Sequence, residues 1–341
     1  MLRNLSQRLL SLLQLTRMAL VFTAIADSLC SVLLAAENAR RHAGGDSVLP
    51  HLHGGRVLAT VLISVGLYGF GMSLNDIIDR RRDRQIAAHR PIPSGRVGLA
   101  FAHAVCGGLL LLAVASGWAF RVMGGTWLTP VLVAWTAMLI AFYDLAGKYL
   151  VAPGLLTLGL IRFFHALVPA PEVPLLWHPL FLLNHVAILS AVAYAWEEKR
   201  PPLTRAHRWF VATGLVLINA MAVGLIGWGR DGEMAAATDS LWVGPSLLIP
   251  LAAAGLFALL GWHVRRNSTS PREAGQKLML YGLLWLIVYD ACFVAAYVRG
   301  WAAATALLLL LPVAYLSVIV MRWWSKLMTV SQRPDFKRAR T

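Results

Sequence analysis

The sequence predicts an all-α fold, a polytopic helical membrane bundle of nine or ten transmembrane helices, and three observations carry that prediction. Apolar residues make up 58% of the 341 residues and charged ones only 14%, with a mean hydropathy of +0.64. A soluble domain has no interior large enough to hide that surface. The apolar stretches run to about twenty residues, the length a bilayer core requires of a helix, and none alternates like a barrel strand. Basic residues are also divided unequally between the segments that join the stretches, which is how orientation in a membrane is set.

Taken in order, the chain opens with an amphipathic arm, residues 1–16, carrying Arg3 and Arg8. The apolar run that follows is too long for a signal peptide and contains Asp27, so it is expected to be an uncleaved first helix. Runs bounded by charge, Pro or Gly then give ten windows: 17–36, 56–78, 98–118, 126–146, 150–170, 176–196, 207–228, 242–264, 275–297 and 300–323. They form one transmembrane domain, residues 17–324, and a basic tail follows at 325–341. Nine windows would leave the termini on opposite sides of the membrane, ten on the same side. With ten, 24 of the 31 Lys and Arg fall on the side of the termini, six fall on the other, and Arg162 lies within a span. That asymmetry places both termini, and the polar segment 79–97, in the cytoplasm, with the protein in the cytoplasmic membrane. The net charge of +15 is then a topology signal with anionic lipid as its partner, and a nucleic-acid surface is not indicated. Cys30, Cys106 and Cys292 all fall in apolar spans, where they read as core packing rather than a disulfide framework.

Chemistry concentrates where the second window meets water. Asn75, Asp76, Asp79 and Asp83 share one face of a helix end, since spacings of three and four recur on one side. The chain has sixteen Asp and Glu in all, so three carboxylates converging here stand out from a solvated helix end neutralised by Arg80, Arg81, Arg82 and Arg84. Carboxylate and amide oxygens suit Mg²⁺, which binds through one or two carboxylates together with substrate phosphates. Arg90 and Lys148, the latter alone in its loop, would supply fixed positive charge to a phosphorylated, greasy substrate whose tail lies between helices.

These residues resemble a family. Asn75-Asp76-x-x-Asp79-x-x-x-Asp83, followed by Arg90-Pro91-Ile92-Pro93-Ser94-Gly95, resembles the first aspartate motif of the UbiA-type intramembrane prenyltransferases. Tyr143 and Lys148 resemble that family's Tyr-x-x-x-x-Lys element, and Pro153-Gly154 with Gly159-Leu160-Ile161-Arg162 looks most like its EboC-like branch. The resemblance implies Mg²⁺-dependent transfer of a prenyl group from an isoprenoid diphosphate to an acceptor, with Mg²⁺ held between two facing acidic motifs. The second motif, Asp-x-x-x-Asp at the end of the sixth span, is missing. Glu197 and Glu198 stand there instead, as metal ligands rebuilding the site or as an ordinary solvated cap. Two four-helix halves, ending in the α-helical acids of 76–83 and in Glu197-Glu198, would bring both ends over one cavity.

Ionisable residues inside spans are costly and mark partners or pathways. Arg162 is a candidate for diphosphate binding or for pairing with a buried acid. Asp27 and Asp290 could each be a general base, a partner of Arg162, or a protonated structural acid. His165 is as readily a packing hydrogen-bonder, and Asn184 and His185 should satisfy one another or nearby backbone. Transfer to an unidentified acceptor is the expected reaction; a terpene cyclase of the same fold, or a non-catalytic isoprenoid- or lipid-binding protein, are the alternatives.

Overall fold

A computed structural model describes residues 11, 13–15, 20–43, 46–171, 175–228 and 244–331. Each predicted window holds a helix: α1 (Val21–Ala43), α2 (Gly54–Ile86), α3 (Leu99–Val122), α4 (Leu128–Leu145), α5 (Val151–Leu167), α6 (Trp177–Trp196), α7 (Arg205–Trp228), α8 (Leu248–Arg266), α9 (Pro271–Tyr297), and a last span made of α10 (Ala302–Leu308) and α11 (Leu310–Ser331). The predicted arm is described only at residues 11 and 13–15, and the tail beyond 331 lies outside the described residues. Among the described residues nine stretches are long and apolar enough to cross a membrane. The tenth, α5, has 17 residues and rises about 25 Å, at the lower limit for spanning a core about 30 Å thick. The choice between nine and ten spans therefore turns on this one helix.

Burial sorts the helices into an inside and an outside. The apolar windows of α1, α2, α6 and α9 are 50–61% buried, whereas those of α3, α7, α8 and the last span are only 17–22% buried. The outer helices turn large apolar side chains such as Leu111, Val216, Leu256 and Leu316 away from the bundle. Lipid replaces protein as their neighbour, because a membrane protein gains nothing by burying them twice. Packing runs from α2 through α1 to α9, from α9 to α6, and from α6 through α5 to α4 and back to α2, with α1 also packed on α5. The expected pairing of two halves is thus modified. The acid-bearing α2 packs on α1, α3 and α4, while α6 packs on α5, α7 and α9.

Small residues allow the closest approaches. A Cβ on Gly66 of α2 would stand 2.7 Å from the Leu109 carbonyl oxygen and 2.9 Å from the Ala113 methyl of α3, both held by helix backbone. Replacing Gly66 with Val is expected to force α2 and α3 apart and cost about 1–3 kcal/mol. Thermal unfolding in detergent would show it, and an unchanged midpoint would mean that the two helices are not locked at this contact. Polar clasps do the same work elsewhere. The side-chain amides of Asn184 on α6 and Asn219 on α7 exchange hydrogen bonds of 2.9 and 3.0 Å, and His185 Nε2 donates to the Gly282 carbonyl at 2.9 Å. Asn184 and His185 are therefore satisfied by different neighbours and not by each other.

Candidate active site

The α2 helix does not stop at its predicted boundary. It continues to Ile86, so Asp76, Asp79 and Asp83 lie within its last three turns and Ala87 N–H caps it by donating to the Asp83 carbonyl at 2.8 Å. With 33 residues it rises about 50 Å, well beyond a bilayer core, and the acidic turns are the part that overshoots. Asp76 and Asp83 are buried, and Asn75 and Asp79 half-buried.

Two cations arrive from other segments. After α4 ends, a short 3-10 turn over Gly147–Tyr149 presents Lys148, whose Nζ donates to Asp79 Oδ1 at 2.8 Å and to Asn75 Oδ1 at 3.3 Å. Arg90 comes from the loop after α2. One guanidinium nitrogen donates to Asp83 Oδ2 at 2.6 Å and stands 3.6 Å from Asp76 Oδ1. The Pro91-Ile92-Pro93-Ser94-Gly95 sequence makes that loop compact. Ser94 N–H returns to the Arg90 carbonyl and Gly95 N–H to the Ile92 carbonyl, each at 3.0 Å. Gly95 has φ +76°, in the left-handed region that a side chain would strain. Arg96 braces the loop from beneath, donating to Ser94 Oγ at 3.0 Å, Gln14 Oε1 at 2.9 Å and the His89 carbonyl. Burial pulls the Arg96 guanidinium below its ordinary pKa, a cost its three hydrogen bonds offset.

The result is three carboxylates and two cations in alternation around one helix end. A cavity of 340 Å³ opens beside it, lined by Asp76, His89, Arg90 and Pro91 at the polar end and by Leu20, just before α1, and Leu280, Val318 and Met321 from α9 and α11. Gln14 and Arg322 also line it and were not singled out in the sequence: Gln14 sits in the arm, and Arg322 reads there as one more charge at the end of a span.

The remaining predicted residues lie elsewhere. Arg162 donates to Asp27 Oδ2 at 2.6 Å and to Thr23 Oγ at 2.9 Å. It sits eleven residues into α5, about 16 Å of helix rise from the end that carries Lys148. Of the two roles expected for it, the structure supplies the acid partner. At the end of α6, Glu197 Oε2 pairs with Lys199 Nζ at 3.2 Å and packs against Gly275 of α9; Glu198 is exposed and has φ +52°. Tyr143 is half-buried on the last turn of α4, one residue before the buried Asp144.

A solved structure shares this architecture, and others align with it more loosely. A digeranylgeranylglyceryl phosphate synthase aligns with 86% of this chain and 99% of its own, at 16% identity and a TM-score of 0.58. A UbiA homolog from Archaeoglobus fulgidus bound to GPP and Mg²⁺ covers 91% of this chain and 99% of its own, at 10% identity and a TM-score of 0.43. The same homolog bound to Cd²⁺ covers 94% and 99%, at 13% identity and a TM-score of 0.41. No family model and no curated protein matches the sequence. The all-helical bundle of this chain has the membrane fold of the digeranylgeranylglyceryl phosphate synthase, and at such identity the likeness is one of fold.

Proposed function

We propose that this protein is an intramembrane prenyltransferase that moves a prenyl group from an isoprenoid diphosphate to an acceptor reaching the same cavity. The observation that carries the proposal is the convergence of Lys148 and Arg90, from separate segments, on the carboxylates of one helix end at the mouth of an apolar cavity. The digeranylgeranylglyceryl phosphate synthase of similar fold adds weight to a reaction of this kind.

The donor set is all oxygen, from Asp76, Asp79, Asp83 and Asn75, and so suits a hard cation such as Mg²⁺ rather than one that prefers sulfur or imidazole. Mg²⁺ bound there would neutralise the diphosphate as it takes on charge. Asp76 and Asp79 face the cavity and Lys148 respectively and are the first candidates for ligands. Asp83 is buried and engaged by Arg90, so it joins them only as Arg90 turns toward phosphate. Glu197 and Glu198 are the nearest counterpart in sequence to a second acidic motif, and the Lys199 pair would have to open for Glu197 to take part.

Lys148 and Arg90 are already charged and held in place, so they can stabilise the leaving group without reorganising when it departs. The C1–O bond breaks with its electron pair staying on the diphosphate. The acceptor then forms its bond to C1 and loses one proton. The apolar wall from Leu20, α9 and α11 takes the tail, and the motif end of the bundle faces the cytoplasm, in accord with the distribution of basic residues.

The test is diphosphate release by the purified protein in lipid with Mg²⁺ and a panel of prenyl diphosphates, with and without cell extract as a source of acceptor. Release that requires extract is expected. Release without extract would indicate cyclisation or hydrolysis, and binding with no release under any condition would leave a lipid-binding protein. In an active preparation, Lys148→Met is expected to lower kcat/KM about 10²-fold, the scale for losing one preorganised electrostatic donor. A variant within threefold of wild type would remove Lys148 from the phosphate site.

A further inference from the structure

Away from the motif, the inner helices carry a second cluster of groups that bind metals. Cys30 on α1, His178 on α6 and Asp290 on α9 are all buried, and one ligand atom from each lies within 4.8 Å of the other two. The three residues come from three helices that the packing brings together. Asp290 is seven residues before the end of α9 and His178 is the second residue of α6. The cluster therefore lies toward the end of the bundle opposite the motif, about 10 Å along α9 from its end and at the start of α6.

Two features set this cluster apart from ordinary core packing. The first is an imbalance of charge and hydrogen bonds. Asp290 Oδ1 meets His178 Nε2 at 2.7 Å, but Asp290 Oδ2 is buried with no hydrogen-bond partner. The neighbouring carboxyl of Asp27 faces Asp290, and its Oδ1 is likewise buried and unpartnered. Arg162 neutralises Asp27 through its other oxygen. Two facing carboxyls within hydrogen-bond reach of one another must hold either a proton or a cation between them, since uncompensated charge in a membrane interior costs several kcal/mol.

The second feature is the setting of the histidine. His178 Nδ1 lies 3.4 Å from Ser31 Oγ, and Ser31 Oγ donates to the Asp27 carbonyl at 3.2 Å. A histidine that binds a metal through one nitrogen usually gives its other N–H to a hydrogen-bond acceptor, which fixes the tautomer. Here Nδ1–H to the Ser31 hydroxyl would leave Nε2, 2.7 Å from Asp290 Oδ1, as the nitrogen for a cation that takes the place of the proton between them. A small cavity of 10 Å³ lined by Ser31, Ala170 and His178 lies against the histidine alone, touching neither Cys30 nor Asp290.

We propose that Cys30, His178 and Asp290 form a binding site for a borderline-soft divalent cation of the Zn²⁺ type. Thiolate, imidazole and carboxylate are the donors Zn²⁺ takes, at bond lengths of about 2.0–2.3 Å. Ligand atoms at those lengths stand roughly 3.5 Å apart in a tetrahedron, so the site closes by about 1 Å around the ion. Asp27 Oδ1 is the fourth donor available. On binding, Cys30 gives up its thiol proton and the facing Asp27–Asp290 pair the proton it shares, both to water, while His178 binds neutral and Asp290 as the carboxylate. The two negative ligands balance the ion, and the Asp27–Arg162 pair remains neutral beside it. The site is chemically distinct from the all-oxygen cluster on α2, and its existence does not depend on the reaction proposed above.

The experiment uses the full chain in detergent. Metal content by mass spectrometry is expected to show about one zinc per chain retained through purification. After chelation, titration with Co²⁺ is expected to produce a near-ultraviolet thiolate-to-cobalt charge-transfer band that saturates at one equivalent. Cys30→Ser should lose the band, while Cys106→Ser, in a different part of the core, and Asp76→Asn, in the oxygen cluster, should keep it. A folded wild-type protein that holds no zinc and gives no band would overturn the proposal and leave a proton shared between the two carboxyls. A band that survives in Cys30→Ser would overturn it as well. The wild-type titration decides the matter even if the Cys30 variant does not accumulate.

Discussion

Replacing Asp76 and Asp79 together with Asn is expected to lower diphosphate release about 10³-fold or more, the scale on which preorganised charge acts at a site of ionisation. The substitutions keep the shape of both side chains and remove only their charge. They therefore test whether these oxygens hold a cation or merely cap a helix. A capping role predicts little change in activity, because α2 is capped at Ala87 by the Asp83 carbonyl and neither Asp76 nor Asp79 serves that bond. Lys148 keeps a hydrogen bond to Asn75 in the variant, so the turn that carries it should stay in place. Binding of a prenyl diphosphate, measured without turnover, should weaken in parallel and should lose its dependence on Mg²⁺. Retention of release within tenfold of wild type would sink the assignment of these residues as metal ligands. Asp83→Asn ought to behave differently, raising KM more than it lowers kcat, since Asp83 is engaged in holding Arg90.

How far the sequence reveals this site depends on how local each contact is. Asp76, Asp79 and Asp83 share a helix face that follows from spacing alone, and the Arg90–Gly95 segment is close enough in the chain that its return onto Asp83 is nearly a turn. Lys148 is 69 residues from Asp79. Its being the single cation in a short loop, together with the family resemblance, was what singled it out. The predicted end of the second span at residue 78 was eight residues short, because apolarity marks where a helix leaves lipid and not where it stops. Asp27 and Asp290 were visible as expensive residues, but their partners, 135 and 112 residues away, were not. No periodicity connects helices so distant in sequence. The same gap explains Arg162. Its charge in mid-span called for an anion, and the sequence offered both a diphosphate and a buried acid.

Removing either member of the Asp27–Arg162 pair is expected to destabilise the protein by about 3–5 kcal/mol, while removing both should restore most of the loss. Arg162 is nearly buried and Asp27 fully so, and 2.6 Å separates them within helices that pack against one another. Arg162→Leu would leave the buried Asp27 without the guanidinium that neutralises it. Asp27→Leu would leave the guanidinium with Thr23 Oγ alone. The double variant Asp27→Leu, Arg162→Leu replaces two desolvated charges with apolar volume, and buried pairs replaced in this way are often close to neutral. A double-mutant cycle from unfolding in detergent measures the coupling directly, and more than about 2 kcal/mol is expected for a pair this close. The same cycle also bears on the reading of Arg162 as a phosphate ligand. A coupling near zero would mean that water or substrate reaches the guanidinium and that the pair is easily exchanged, as a diphosphate ligand requires. A large coupling, with diphosphate affinity unchanged in the folded double variant, would fix Arg162 as the neutralising partner of Asp27 and leave the diphosphate to Lys148 and Arg90.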